Sequence, residues 1–172
     1  MKPCASYTKA AAVFSPCRRW RYTLDRWWSP FAWHEGGRYA NFLMLNPSTA
    51  DETVLDPTVA RCVGFARRWG YDGLVVTNIF ACRGTDPKCL YAAEDPVGPE
   101  NNEYVQKVAR QASLVVCAWG VHGVLRGRGR QVAAMLTASE IPLYCLGVTK
   151  AGHPRHPLYL SNEVTPAPFT VP

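Results

Sequence analysis

Four short apolar runs separated by stretches of helical periodicity constrain this chain more than any other feature. Tyr39 to Leu45, Leu74 to Thr77, Ser113 to Trp119 and Pro142 to Leu146 lack the polar alternation of a half-exposed strand. Runs of this kind read as strands buried on both faces. Strands covered on both sides lie parallel, with helices as crossovers. The intervening segments supply those helices. Asp56-Pro57-Thr58 offers an N-cap followed by proline at the first helical position. Val59, Cys62, Val63, Phe65, Ala66 and Trp69 then recur at helical spacing up to Gly70. Glu100 to Ala112 places Tyr104, Val105, Val108 and Ala112 on one face, and Gln131 to Ser139 reads as a further helix. The expected architecture is a three-layer α/β sandwich around a central, mostly parallel four-stranded sheet. Arg21 to Leu24 reads as an additional strand, part of an edge hairpin over the turn Trp27-Trp28-Ser29-Pro30. Gly84 to Pro99 reads as a loop, and the proline-rich tail from Thr165 either wraps the domain or frays.

With 172 residues, 48% of them hydrophobic, the chain makes one domain with a real core and is not disordered. Residues 1–38 form an N-terminal extension and 165–172 the tail. No apolar run reaches the roughly 20 residues that span a bilayer. The start, MKPCASYTKAAAVFSPC, is too weakly apolar for a signal peptide. A cytoplasmic monomer with no membrane partner is expected. Seven cysteines without a C-x-x-C do not make a disulfide framework. Cys117 and Cys145 sit in apolar runs as core residues. Cys4, Cys17, Cys82 and Cys89 remain the one set from which a metal site could be assembled, against a default of no metal and no cofactor. The formal charge is +6, with arginines crowded at 18–21, 67–68 and 126–130. Arginine beside tryptophan or glycine suits phosphate contacts, although surface arginines also occur without a partner.

In parallel sheets, ligands bind beyond the carboxyl ends of the strands. Those ends carry Asn46-Pro47-Ser48, Asn78-Ile79-Phe80, Trp119-Gly120-Val121-His122, and the stretch from Lys150 through His153 and His156 to Leu158. No Walker loop, G-x-G-x-x-G or G-x-S-x-G is present, so nucleotide-triphosphate, dinucleotide and serine-hydrolase readings lack their motifs. A triad of Ser48, His156 and Asp51 can be drawn only by force. Asn-Pro after a strand is also an ordinary turn.

Taken in order, these motifs resemble the uracil-DNA glycosylase superfamily. "LMLNPST" resembles its first motif, "VVTNIFACRGTDP" a T-N-x-x-x-C-R strand end, "LVVCAWGVHG" the strand ending in W-G, and "GHPRHPLYL" the final His-Pro loop. The wider pattern, with "YTLDRWW" and "NPSTADETVLDPT", is closer still to a bacterial and phage domain family of unknown function that resembles a branch of that fold.

The resemblance implies a monofunctional DNA glycosylase. Asn46 matches the water-positioning residue, and an asparagine there orients water without acting as a base. Asp51, Glu52 or Asp56 would then supply the base, with Asp51 placed beside Asn46 and His156 as catalytic. His156 matches the final histidine that donates to the departing base, and Asn78 matches the residue that reads the base edge. Pro47 and Ser48 complete the first motif, and Phe80 or Tyr159 would stack on the flipped base. Leu158 would fill the vacated stack. Arg83, Arg126, Arg128, Arg130, Lys150 and Arg155 would grip double-stranded DNA. Lys150 also leaves a Schiff-base lyase step open. Met44 or Leu45 replaces the opening glycine of the first motif, and Leu158-Tyr159 replaces the usual S-P. Both departures point away from plain uracil and toward a modified pyrimidine, excised in repair or in defence against phages with hypermodified DNA. A hydrolase or transferase of free modified nucleosides or nucleotides, and a non-catalytic sensor of modified bases, are the alternatives.

Overall fold

The computed structural model describes residues 7–30, 32–33, 36–48, 50–51, 53 and 56–171. Seven strands form one sheet: β1 (Lys9–Phe14), β2 (Arg21–Trp27), β3 (Tyr39–Met44), β4 (Gly73–Asn78), β5 (Leu114–Cys117), β6 (Tyr144–Cys145) and β7 (Ala167–Pro168). Their spatial order is β1-β2-β4-β3-β5-β6-β7. The four expected strands are the parallel centre, β4-β3-β5-β6. The four-stranded count is corrected by the flanks. β2 runs antiparallel to β4, β1 antiparallel to β2, and β7 antiparallel to β6. The hairpin of β2 also lies elsewhere than expected. It is made with the upstream β1, with the connection at residues 15–20, and not over the tryptophan turn.

Strand periodicity sorts the core into two halves. Ala40, Phe42 and Met44 face α1 (Pro57–Arg68), whose Val59, Cys62, Val63, Phe65 and Ala66 are buried. Leu43 and Leu45 face the opposite side, with Val105 and Ala109 of α3 (Asn101–Gln111) and Val132 and Leu136 of α4 (Arg128–Ala138). Helices therefore cover both faces of the parallel strands, which explains their continuous apolar runs. A five-residue helix, α2 (Lys88–Ala92), interrupts the long loop. The proline-rich tail wraps: β7 pairs with β6, and Phe169 is buried with its ring edge-on to Trp119, centroids 5.9 Å apart. Among the described residues, no helix is long and apolar enough to cross a membrane.

β3 is the first of the parallel strands in the chain and is flanked by β4 and β5, so the crossover from β3 to β4 and the one from β4 to β5 run in opposite directions across the sheet. A crevice opens at the carboxyl end of a strand so placed.

Candidate functional site

A cavity of about 360 Å³ occupies that crevice. Its wall takes Asn46 from beyond β3, Asn78 from the end of β4, Trp119 and Gly120 from beyond β5, and His156 from the last loop. Three of the residues singled out in the sequence thus meet in one place, and Ser48 joins them.

Asn46 sits there because the chains leaving β3 and β4 continue side by side. Ile79 N donates to the Met44 carbonyl at 2.9 Å, Phe80 N to the Leu45 carbonyl at 2.9 Å, and Gly84 N to the Pro47 carbonyl at 2.8 Å. The Asn46 side chain closes this seam. Its Nδ2 donates to the carbonyls of Gly84 at 2.9 Å, Pro47 at 3.3 Å and Cys82 at 3.5 Å. With the nitrogen committed to carbonyls, Asn46 presents an oxygen, which can only accept.

His156 is placed by the turn after β6. Arg155 N donates to the Gly147 carbonyl at 2.9 Å, and Gly120 N to the Pro154 carbonyl at 2.9 Å. Gly120 has φ +70°, a conformation that a side chain would strain. His156 caps the short 3₁₀ segment Pro157–Tyr159, its Nδ1 accepting from Leu158 N at 3.3 Å. An accepting Nδ1 leaves the proton on Nε2. Burial holds the imidazole pKa below its ordinary value, and the Asp56 carboxylate opposes that shift in part.

Asp56 is the acid of the cavity. Its Oδ1 caps α1 through Val59 N at 2.7 Å, and its Oδ2 accepts from the Ser48 hydroxyl. Asp51 does not line the cavity. Its Oδ1 closes a local turn, accepting from Thr53 N at 2.8 Å and Thr53 Oγ1 at 2.9 Å, and its carbonyl accepts from Arg26. Placing Asp51 with Asn46 and His156 is corrected accordingly, and the forced triad falls with it. Glu52 lies outside the described residues.

Two further assignments change. Phe80 is wholly buried on the α3/α4 side of the sheet and offers no face to a ligand. The aromatic wall of the cavity is Trp119 instead. Tyr159 is 86% exposed and lies outside the cavity. Arg128 is 5% exposed, its Nε donating to the Ile79 carbonyl at 2.7 Å and its Nη2 to Asn102 Oδ1 at 2.6 Å. Burial lowers its pKa to about 10. It fastens α4 to the end of β4 and is not available to DNA. Arg126, Arg130, Lys150 and Arg155 are exposed. Arg83 is half-buried, its guanidinium 4.9 Å from the Phe14 ring centroid, and Leu158 is half-buried two residues after His156. Pro47 is buried, with its carbonyl in the seam.

The residue not foreseen is Arg21. It lines the cavity at 2% exposure and donates to the Ala50 carbonyl at 2.6 Å and to Asn78 Oδ1 at 3.4 Å. Burial lowers its pKa to about 10, with the Asp56 carboxylate acting the other way. In the sequence it stood inside a run of surface-like arginines, and only its position at the start of a strand separated it from them. His122 also reaches the cavity wall and is 3.2 Å from the Tyr91 hydroxyl through Nδ1. Among the described residues, no cluster of three or more His, Cys, Asp or Glu side chains could hold a metal ion. Cys4 of the cysteine set lies outside them.

The fold and site define an α/β domain with a small cavity at the carboxyl ends of parallel strands, its mostly apolar wall carrying a few convergent polar side chains. The chain belongs to the family described as protein of unknown function (DUF1643), whose model matches residues 21–158. No curated protein and no solved structure matches the chain.

Proposed function

We propose that this protein is a DNA glycosylase of the uracil-DNA glycosylase type, hydrolysing the N-glycosidic bond of a modified pyrimidine flipped out of duplex DNA. The observation that carries the reading is the meeting of Asn46, Asn78 and His156, from three separate chain segments, in one cavity. A volume of about 360 Å³ suits a single substituted ring but no duplex, so a base must leave the stack to enter.

Each group has a role that fits its fixed hydrogen-bonding polarity. Neutral His156 offers Nε2–H to a base carbonyl, where negative charge grows as the glycosidic bond breaks. Asn46 offers its oxygen to hold a water below the sugar. Asp56 lies in the same wall and accepts the proton as that water adds to the oxocarbenium-like sugar carbon. Trp119 supports the ring. Arg126, Arg130, Lys150, Arg155 and Arg83 contact phosphates, and Leu158 fills the gap in the stack. Lys150 lies outside the cavity lining, which favours hydrolysis over a lyase step. Excision of a modified base would serve repair or defence.

The test is to incubate the protein with duplex DNAs carrying modified pyrimidines and assay released base by mass spectrometry. Release from one DNA supports the reading. DNA binding without release points to a sensor of modified bases. Turnover of free nucleosides that survives replacement of Arg126 and Arg130 by alanine points to a nucleoside hydrolase.

A further inference from the structure

A second cavity, of about 270 Å³, lies beside the first, and Trp119 lines both. The indole is 3% exposed, and among the described residues its Nε1–H has no hydrogen-bond partner. A buried tryptophan ordinarily finds one. Trp20 donates to the Asp95 carbonyl at 3.1 Å, and Trp28 to the Tyr71 carbonyl at 2.8 Å. The indole nitrogens of Trp27 and Trp69 are unpartnered and sealed from solvent, whereas that of Trp119 is not sealed. Two glycines keep it uncovered. A Cβ on Gly123 would lie 2.6 Å from Trp119 Nε1 and one on Gly129 2.8 Å away. Both glycines line the second cavity and not the first, so the N–H edge of the indole borders the second.

The other polar groups there are suited to donate as well. α4 opens at this wall with Gly127 at its N-cap, φ +63°, and no side chain capping it. The first N–H groups of a helix lack partners within it and mark the positive end of its dipole. That of Arg128 goes to the Gly123 and Leu125 carbonyls. Gly129 and Arg130 come next, and both line the cavity. The exposed Arg130 guanidinium adds a positive charge, and His153 adds a ring nitrogen that can donate. No described Asp or Glu is in the lining, and the rest of the wall is apolar, with Val124, Phe169 and Val171.

We infer that this cavity is a second binding site, for a small organic acid. Its oxyanion head meets Trp119 Nε1–H, the start of α4 and Arg130, and its flat apolar body rests on Phe169 and Val171. Convergent donors select a head that only accepts, and a helix start beside an arginine suits a phosphate monoester or a carboxylate. The apolar wall separates such a ligand from a bare phosphate, which would leave that wall unused. The site is distinct from the cavity that holds Asn46, Asn78 and His156, and the inference does not rest on base excision.

Titrating phenyl phosphate, benzoate, benzylamine and inorganic phosphate separately into ¹⁵N-labelled protein tests this, read on the Trp119 indole N–H and the Gly129 amide. Phenyl phosphate or benzoate should shift both resonances saturably, and whichever binds more tightly names the head. That acid should bind at least about tenfold more tightly than benzylamine, by charge, and than inorganic phosphate, by its body. Arg130→Gln, at an exposed position, should weaken it about tenfold, whereas Arg110→Ala, exposed on α3, should leave it unchanged. No saturable shift with either acid would overturn the inference. So would shifts confined to the Asn46 and Asn78 side-chain amides, benzylamine or inorganic phosphate binding as tightly, or an unchanged affinity in Arg130→Gln. Base release from DNA reports on the first cavity, so failure of either reading leaves the other standing.

Discussion

The side-chain nitrogen of Asn46 donates to the carbonyl oxygen of Gly84 at 2.9 Å, fastening the segment beyond β3 to the segment beyond β4. The residue that offers an acceptor to the cavity is therefore also a structural clasp. Asn46→Ala should lower stability by about 1–3 kcal/mol, since it leaves loop carbonyls short of a donor. Asn46→Asp should cost more, because a carboxylate would face three carbonyls. Urea unfolding of the variants checks both, and any loss of activity must be read beside it.

Arg128 and Arg130 are two residues apart and should behave oppositely. Arg128→Ala strips the Ile79 carbonyl and Asn102 of a buried donor, so a loss of about 1–3 kcal/mol in unfolding free energy is expected. Arg130 is exposed, and Arg130→Ala should change stability by less than about 0.5 kcal/mol. It should weaken DNA binding uniformly across sequences and reduce the salt slope by about one. Equal effects of the two substitutions on DNA affinity, at unchanged stability, would contradict the assignment.

The two acids after the first motif separate cleanly. Asparagine caps a helix as well as aspartate does, so Asp56→Asn should keep α1 intact and leave the melting temperature nearly unchanged. It removes the carboxylate from the cavity and should slow base release by about a hundredfold. Asp51→Asn can still close the turn at Thr53, and release should be unaffected. Single-turnover kinetics on a responsive DNA distinguish them.

The stability of the fold should depend on His156 below neutral pH. Its pKa in the folded protein lies below the ordinary 6.5 because burial disfavours the cation, so the unfolded chain binds more protons there. The contribution is fully present above about 6.5 and is lost as pH falls through the folded value. Melting temperature measured against pH should decline through that window, and His156→Gln should flatten that part of the profile. A wild-type curve rising toward lower pH would contradict the burial argument.

The parallel centre of the sheet was legible because its signals are local. The run Phe42-Leu43-Met44-Leu45 has no polar alternation, and Asp56-Pro57 marks a helix start by capping and ring geometry alone. β1 was not legible, since Lys9-Ala10-Ala11-Ala12 has neither β-branched residues nor an alternating pattern, and it forms a strand only because β2 presents an open edge. The strand ends announced Asn46, Asn78 and His156. Arg21 and Arg128 were opaque for a different reason. Whether an arginine is solvated or buried against carbonyls depends on distant chain segments, here Ala50 and Ile79, that no local pattern connects. Asp56 was readable as a cap and as one of three candidate acids after the first motif, and only the fold separated it from Asp51 by placing it in the cavity wall.

The proposed function requires that Asn46, Asn78 and His156 form one base-releasing site. The direct measurement is the single-turnover rate of abasic-site formation in duplex DNAs containing modified thymines and cytosines, using the wild type, Asn78→Ala and His156→Ala. Folding of each variant would be verified by its melting curve. Abasic sites should form in equal number to released base from one class of DNA, with rates at least about a hundredfold lower in both variants. Abasic sites that form at the wild-type rate in both folded variants, or in no DNA at all, would contradict it.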